Sequence, residues 1–423
     1  AVWYKNQMNL FFYFRRLHLY HTICIVLITL KFDFMLRTLF KTICCVLLIL
    51  PAMAQAQTDF VKTAIDETKR QYAPDSRTAI FAVEGELLND SLCVLKGRCN
   101  NRQAVEALLH RLDSAGIACV DGIKMLPDKN LGSLTRGIVT VCCASLRGGP
   151  RHAAEMMTQA IMGTPLLVLE RDKAWLLVQT PDHYISWVPA NSVTLQDEAG
   201  RKAWRESARY VYTGYQGFVY DAPDRNAGIV SDIVAGAILQ ADGKARKGFV
   251  PVRFPDGRKG FLKSDECCDL AQWAARPLDM KVVVRTARQM MGSTYLWGGT
   301  SVKGADCSGF VKTAYFCSGV ILSRDASQQA LTGDIIPADQ WQSCQTGDLL
   351  FFGDERGRVD HVALYLNDGE YIHCSGQVKL NNLDPAAPDY RESNFVSISR
   401  MKTKIGTPGI TAVKAHPWYF DQK

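Results

Sequence analysis

The dipeptide Asp368-Gly369 separates two runs of alternating side chains, DHVALYL before it and EYIH after it. An Asp-Gly pair between alternating runs is a strong signal for a tight β-hairpin, because both turn residues need a positive φ. His361 and His373 flank this turn almost symmetrically. We therefore expect the two imidazoles to lie near each other at the open end of the hairpin.

A cysteine stands at the predicted start of a helix. In the segment ADCSGFVKTAY, apolar residues recur at helical spacing from Phe310 onward. Asp306 is a good N-cap residue, which places Cys307 in the first turn. Because the helix dipole and the free N–H groups of a first turn stabilise a thiolate, we expect the pKa of Cys307 to lie below the value of about 8.5 for a free thiol.

A cysteine nucleophile needs a proton partner, and the predicted hairpin offers two. One imidazole can accept the proton of Cys307. The second can hydrogen-bond to the first and fix its tautomer, as the third group of a catalytic triad does. The preceding run GDLLFF predicts a buried strand that supports the hairpin.

Six phrases in this part of the chain occur in a characteristic order: YLWGGT, ADCSGFV, LSRDASQQ, TGDLLFF, DHVALYL and YIHCSG. Together they resemble the NlpC-type, papain-like cysteine peptidases of bacterial cell-wall metabolism, over roughly residues 281–400. The resemblance implies that Cys307 is the nucleophile, His361 the general base and His373 the orienting residue. It also implies that the Tyr295 hydroxyl supports the oxyanion site.

The region before the peptidase-like segment is rich in short alternating runs with turns. Such runs at 137–195 and, more loosely, at 208–270 favour small β-barrels, and their closing phrases PDHYISWV and PDGRKGFLK correspond. They resemble bacterial Src-homology-3-like (SH3-like) domains. We expect linkers at 195–207 and 270–280.

Residues 57–136 predict a small mixed α/β segment. AIFAVEGEL alternates like a strand, 102–114 has a helical apolar face, and IACVDGIKML suggests strand, turn and strand. The predicted fold class is therefore α+β. A papain-like catalytic domain over 281–420 is preceded by two SH3-like barrels and this α/β segment.

Members of the NlpC-type family that carry SH3-like domains hydrolyse the bond between γ-D-glutamate and the diamino acid of murein peptides, with a free N-terminal L-alanine. The resemblance implies the same substrate here. It makes Asp325 the first candidate for binding the L-alanine ammonium, with Glu155 and Tyr184 of the first barrel as further candidates. It implies that the D-glutamate pocket is lined by Asp306, Ser308 and Trp297.

Other functions remain open at this point. The same chemistry could act on intact peptidoglycan, as in an autolysin or an amidase. The barrels could bind the wall while the catalytic domain is silent, although the complete Cys/His/His set argues against this. Acyl transfer would need an apolar groove that the sequence does not reveal. No Cys/His pattern suits a metal ion, and the chemistry needs no cofactor.

The N-terminus carries most of the charge. The formal net charge is +7, and residues 1–56 hold six basic residues against one acidic residue, which leaves +2 for the remainder. A nearly neutral body excludes a basic stripe for nucleic acid. Residues 35–56 have the basic, apolar and small-residue order of a signal peptide, so we expect export to the periplasm or the extracellular space.

Three further expectations follow from this end of the chain. Residues 1–34 do not begin with Met, and we expect them to be untranslated upstream sequence. Charges within the apolar stretch disfavour a membrane span, so none is expected after cleavage of the signal. Of fourteen cysteines, an odd number follow Cys45, so at least one thiol should stay free.

Overall fold

The computed structural model describes residues 2–89 and 91–421, with side chains outside 2–7, 9–12 and 45–54. It mixes helix and sheet, which confirms the predicted α+β class. The chain divides into two compact units. The first unit comprises Ala1–Tyr72, Val83–Gly97 and Gln103–Ile123, and the second comprises Ala73–Ala82, Arg98–Arg102 and Lys124–Lys423.

The first unit is built on two helices and a three-stranded sheet. The elements are α1 (Val2–Tyr72), β1 (Phe81–Asn89), β2 (Leu92–Cys99), α2 (Arg102–Ser114) and β3 (Ala118–Met125), and the strand order is β1-β2-β3. The predicted helix over 102–114 is confirmed. The predicted strand–turn–strand in IACVDGIKML is wrong, because β3 is one continuous strand. Gly122 permits this, since a Cβ there would lie 2.8 Å from the Leu95 carbonyl oxygen of the neighbouring strand.

The predicted signal peptide at 35–56 falls within α1, and its positions 45–54 lie outside the residues whose side chains are described. Within the described part of the chain, no helix combines the length and the apolar character that crossing a membrane requires.

A seven-stranded antiparallel sheet is the first sheet in the segment Lys124–Lys423 of the second unit. Its strands are β4 (Arg136–Val139), β5 (Cys143–Arg147), β6 (Met156–Ile161), β7 (Pro165–Asp172), β8 (Trp175–Gln179), β9 (Ile185–Pro189) and β10 (Val193–Gln196). Their order in the sheet is β10-β4-β7-β8-β9-β5-β6. We call it the first barrel sheet.

A second seven-stranded sheet, the second barrel sheet, follows. It contains β11 (Arg209–Tyr212), β12 (Gln216–Tyr220), β13 (Ile229–Val234), β14 (Ile238–Ala241), β15 (Phe249–Arg253), β16 (Lys259–Lys263) and β17 (Cys267–Asp269). Its order from β17 is β17-β11-β14-β15-β16-β12-β13. If the strands of each sheet are numbered one to seven along the chain, both sheets have the order 7-1-4-5-6-2-3. The second sheet therefore repeats the topology of the first.

The segments expected to be linkers contain short helices, α3 (Glu198–Glu206) and α4 (Leu270–Ala275). Each has an aspartate N-cap whose carboxylate accepts a backbone N–H, and each buries one tryptophan, Trp204 in α3 and Trp273 in α4. The N-cap and the buried aromatic residue each stabilise a short helix against its neighbours.

The C-terminal part of the second unit holds three helices and a six-stranded sheet. Its elements are α5 (Met280–Gln289), β18 (Thr300–Ser301), β19 (Gly304–Ala305), α6 (Cys307–Phe316), β20 (Val320–Leu322), α7 (Ala326–Gln329), β21 (Asp334–Pro337), β22 (Leu349–Gly353), β23 (Val359–Asn367), β24 (Glu370–Ser375), β25 (Gln377–Asn382), β26 (Phe395–Arg400) and β27 (Ile410–Ala412). The sheet order is β21-β26-β22-β23-β24-β25.

The hairpin predicted at Asp368-Gly369 is present between β23 and β24. Asp368 has φ 50° and Gly369 has φ 79°, the positive values that a two-residue turn of this kind requires. In the register, Leu364 pairs with Ile372. Helix α6 packs against this hairpin with a fully buried face that includes Phe310 and Ala314, so α6 and β23 are held together by the core.

Candidate active site

Helix α6 begins at Cys307, and the predicted N-cap is confirmed. The Asp306 carboxylate accepts a hydrogen bond from the Gly309 N–H at 2.7 Å. A Cβ at position 309 would lie 1.9 Å from the Gly299 carbonyl oxygen, so only glycine lets the Gly-Gly loop approach this first turn. The Cys307 side chain is thereby fixed in a nearly closed environment, with the residue 7% exposed.

The Cys307 sulfur lies against β23 on both sides of His361. Sγ is 4.0 Å from the Asp360 carbonyl oxygen. The backbone N–H groups of Val362 and Ser308 also face the sulfur and favour its thiolate form. These contacts place the sulfur beside the backbone of the strand segment that carries His361.

The expectation of a lowered thiol pKa is wrong. Burial, together with the negative charge of Asp306, raises the pKa of Cys307 to about 11. The N–H groups of the helix start act in the opposite direction, but they do not compensate for the loss of water around the sulfur. In the resting structure Cys307 is a thiol at neutral pH.

A chain of hydrogen bonds fixes the tautomers of both histidines. Asn381 Nδ2 donates to the Asp389 carbonyl oxygen at 2.7 Å, which turns Asn381 Oδ1 toward His373 Nε2 at 2.9 Å. An amide oxygen only accepts, so His373 Nε2 carries a proton and, in the neutral ring, Nδ1 is the acceptor. His361 Nε2 lies 2.7 Å from His373 Nδ1 and donates to it. The remaining nitrogen of His361, Nδ1, is then unprotonated and can accept a proton.

Both imidazoles are neutral in this environment. Burial, the neighbouring His373 and the cations Arg391 and Lys379 lower the pKa of His361 to about 3. Burial is also the largest cause that lowers the pKa of His373 to about 4, against the opposing hydrogen bond to Asn381. A neutral imidazole beside a neutral thiol can act as a general base.

Tyr295 is half-buried at the same site. Its backbone pairs with Ala305, two residues before Cys307, and burial, followed by the negative charge that a Cys307 thiolate would carry, raises the pKa of the Tyr295 hydroxyl. The hydroxyl therefore keeps its proton and can donate it to a developing oxyanion.

The candidates Asp306 and Ser308 are joined by a residue that the sequence analysis missed. Arg324 is 1% exposed, and its guanidinium donates to both Asp306 carboxylate oxygens, at 3.1 and 2.5 Å, and to Ser308 Oγ at 3.0 Å. Its Nε donates to Thr158 Oγ1 of the first barrel sheet at 2.9 Å. Arg324 thus ties the helix start to the barrel.

Asp325 is held by a second unforeseen arginine. Arg77 Nη1 donates to Asp325 Oδ2 at 2.8 Å and to Ser327 Oγ at 3.0 Å, while Asp75 binds the other edge of the same guanidinium. Tyr184 of the first barrel region donates its hydroxyl to Asp325 Oδ2 at 3.2 Å. The structure therefore brings Asp325 and Tyr184 together, as two neighbouring candidates for one subsite.

Glu155 and Trp297 also meet. Trp297 Nε1 donates to Glu155 Oε1 at 2.8 Å, and the indole is 60% exposed. Direct side-chain contacts thus join His361 with His373, Asp306 and Ser308 with Arg324, Asp325 with Tyr184, and Glu155 with Trp297. Cys307 and Tyr295 meet the backbone beside these residues, at Asp360 and Ala305 respectively.

The sequence offered little signal for the missed residues. Arg77 lies 248 positions before its partner. Arg324 stands in the polar phrase SRDASQQ, where no local pattern marks it as a buried residue. Asn381 follows His373 by eight residues on the next strand, so continuing the hairpin to a third strand would have found it.

Among the described residues, no group of three His, Cys, Asp or Glu side chains could hold a metal ion. The cysteines whose side chains are described are all free thiols.

A buried thiol at a helix start, with an imidazole held by a second polar side chain, is the arrangement of a cysteine hydrolase. Comparison with known proteins agrees. Residues 292–400 match the NlpC/P60 family, and residues 146–193 match the bacterial dipeptidyl-peptidase Sh3 domain. The chain belongs to the NlpC/P60 family of cysteine peptidases, with an SH3-like domain before the catalytic domain.

Several known proteins are similar to much of the chain. This chain is 31% identical over 278 residues to dipeptidyl-peptidase 6 of Lysinibacillus sphaericus, and the aligned region covers 62% of this chain and 97% of that protein. It is 28% identical over 240 residues to a gamma-D-glutamyl-L-lysine dipeptidyl-peptidase of Bacillus cereus, covering 52% and 68%. A crystal structure of an NlpC/P60 family protein from Bacillus cereus superimposes with a TM-score of 0.55 at 22% identity, covering 63% of this chain and 99% of that one, and supports the fold.

Proposed function

We propose that this chain is an exported endopeptidase that hydrolyses the γ-D-glutamyl–diamino acid bond of murein peptides with a free N-terminal L-alanine. The observation that carries the proposal is the position of the Cys307 sulfur, which is packed against the residues on both sides of His361. The names of the relatives, dipeptidyl-peptidase 6 and gamma-D-glutamyl-L-lysine dipeptidyl-peptidase, support the choice of bond.

The first half-reaction uses the fixed tautomers. His361 Nδ1 takes the thiol proton as Cys307 Sγ attacks the γ-carbonyl carbon of D-glutamate. The N–H groups at the start of α6 and the Tyr295 hydroxyl hold the oxyanion. The imidazolium of His361, stabilised through His373, then gives its proton to the leaving amine of the diamino acid, and a thioester remains.

The second half-reaction restores the enzyme. Water loses a proton to His361 Nδ1 and attacks the thioester carbonyl. The C–S bond breaks, the sulfur regains the proton from His361, and L-alanyl-D-glutamate leaves with a free γ-carboxylate. No metal ion takes part in this scheme.

Recognition of the free amine is assigned to Asp325, with Tyr184 and Glu155 contributed by the first barrel region. Asp75, Arg77 and Asp325 together carry a net charge of −1, so the cluster still attracts an ammonium group. Asp306 is saturated by N–H donors and by Arg324. We therefore assign it to holding Ser308 and the helix start beside the D-glutamate, and we assign Trp297 to the exposed edge of that pocket.

The domain assignment that fits this function places the α/β segment at 57–136, SH3-like barrels at 137–195 and 208–270, and the catalytic domain at 281–420, after a signal peptide at 35–56.

The test is mass spectrometry of digests. The wild-type protein should convert L-Ala-γ-D-Glu-diaminopimelate to L-Ala-D-Glu and free diaminopimelate, and Cys307→Ala should give no product while melting at an unchanged temperature. Cleavage of an N-acetylated peptide or of intact peptidoglycan at the same rate would favour an autolysin. Activity that survives in Cys307→Ala would defeat the mechanism.

A further inference from the structure

A pocket of about 250 Å³ opens beside the two histidines. It is lined by His361, His373, Phe352, Asp360, Arg391 and Glu392, among others. Asp360, whose carbonyl oxygen lies 4.0 Å from the Cys307 sulfur, places this pocket next to the reacting atoms. Because His361 protonates the leaving amine in the proposed reaction, the diamino acid has to leave from the side of the cleft that this histidine borders.

The pocket carries charges of both signs that are not paired with one another. Arg391 is exposed. Its guanidinium donates one hydrogen bond, to Ser375 Oγ at 3.1 Å, and no other to a described residue. No carboxylate of the described chain forms an ion pair with Arg391, and neither Asp360 nor Glu392 has a cationic partner there. A ligand with one anionic and one cationic group can form charge-assisted hydrogen bonds with both kinds of side chain in this pocket.

The two common diamino acids of murein differ in this respect. The side chain of lysine ends in an ammonium group alone, whereas diaminopimelate ends in an ammonium group and a carboxylate. The carboxylates of Asp360 and Glu392 suit an ammonium group in either case. Both peptides carry the α-carboxylate of the diamino acid, but only diaminopimelate adds a side-chain carboxylate for the guanidinium of Arg391, and lysine would bring its side-chain ammonium beside that cation.

On the basis of the proposed function, we propose that Arg391 is a specificity-determining residue that binds the side-chain carboxylate of diaminopimelate and selects it over lysine. A guanidinium matches a carboxylate with two parallel N–H donors, so the contact fixes direction as well as charge. Arg391 lines the same pocket as both histidines, which places its guanidinium within reach of a leaving group there.

The experiment compares L-Ala-γ-D-Glu-diaminopimelate with L-Ala-γ-D-Glu-L-Lys as substrates for the full chain. The wild type should prefer the diaminopimelate peptide in kcat/KM by about tenfold, the effect of one strong charge-assisted contact. Arg391→Met should lower kcat/KM for that peptide by a similar factor and leave the lysine peptide within about twofold. Arg391→Glu should favour the lysine peptide.

Arg356→Met is the matched control, since Arg356 is an exposed arginine in the turn between β22 and β23 and does not line the pocket. It should change neither substrate. Equal losses on both peptides in Arg391→Met would show that Arg391 binds a group that the peptides share, and would overturn the inference. So would a wild type that cleaves both peptides equally well. Failure of the wild type to cleave either peptide would instead count against the proposed function itself.

Discussion

Arg77 Nη1 lies 2.8 Å from Asp325 Oδ2. The Nε and Nη2 atoms of the same guanidinium donate to the two carboxylate oxygens of Asp75, at 2.8 Å each. The carboxylate proposed to bind the substrate's ammonium is thus positioned by a segment that precedes both barrel sheets. That segment is itself anchored, because the Ile185 N–H donates to the Arg77 carbonyl oxygen at 2.8 Å.

The two aspartates around Arg77 allow a charge-matched comparison. Asp325→Asn should raise KM for a peptide with a free L-alanine amine about tenfold, since a neutral amide loses most of the attraction to an ammonium group. Asp75→Asn removes the same charge from the far edge of Arg77, where it does not touch the ammonium group, and should raise KM by a smaller factor, about two- to threefold. Steady-state kinetics on free and N-acetylated peptides measures both effects. Equal changes in the two variants would remove Asp325 from amine binding.

Asn381 is expected to act through the histidines without touching substrate. Asn381→Leu removes the acceptor that fixes the His373 tautomer, so kcat should fall at least about tenfold with KM unchanged. Asn381→Asp keeps an acceptor and should retain more activity. Its carboxylate should also raise the pKa of His373 and move the acid limb of kcat to higher pH.

Asn382→Leu is the control for this series. The side chain of the neighbouring Asn382 donates to the Asp368 carbonyl oxygen and accepts from the Asp384 N–H, and it does not bond to either histidine. It should leave kcat and its pH profile unchanged. A pH profile that is the same in Asn381→Asp and the wild type would show that Asn381 does not control the histidine pair.

The histidines also make stability depend on pH. Their folded pKa values, about 3 for His361 and about 4 for His373, lie below the ordinary value of 6.5. Between these values the unfolded chain binds more protons than the folded chain, so the free energy of unfolding should fall as the pH drops from 6.5 toward 3. Urea unfolding at a series of pH values measures the slope. His361→Gln should flatten it, and an unchanged slope in that variant would contradict the expectation.

Arg324 should matter for stability more than any exposed arginine. Arg324→Met leaves the buried Asp306 carboxylate without its guanidinium, and loss of one partner of a buried ion pair costs about 3–5 kcal/mol. Adding Asp306→Asn should recover part of the loss, because the uncompensated charge is gone. Arg358→Met breaks an ion pair whose arginine is 76% exposed and should have little effect. Similar unfolding midpoints for the variants at 324 and 358 would refute this account.

Local sequence signals predicted the start of helix α6 and the β23–β24 hairpin well. The N-cap at Asp306, the start of α6 at Cys307 and the turn at Asp368-Gly369 are decided by residues a few positions apart. The convergence of His361 and His373 followed because a hairpin fixes the register of its two strands.

Features that depend on packing between distant segments could not be predicted in this way. The contact of Arg77 with Asp325, and the burial of Arg324 between α6 and the first barrel sheet, depend on how whole elements dock. The prediction of a lowered pKa for the Cys307 thiol was wrong for a related reason. A helix start favours the thiolate in any sequence, but the desolvation that outweighs it depends on the finished core.

The two barrel sheets share one strand order but differ in what they adjoin. Most of the buried residues of the first sheet form a cluster of their own, whereas the core of the second sheet is continuous with that of α6 and the β23–β24 hairpin. Unfolding of the second sheet would therefore open the apolar core behind Cys307, whereas unfolding of the first sheet would remove the polar contact between Thr158 and the Arg324 that holds the start of α6.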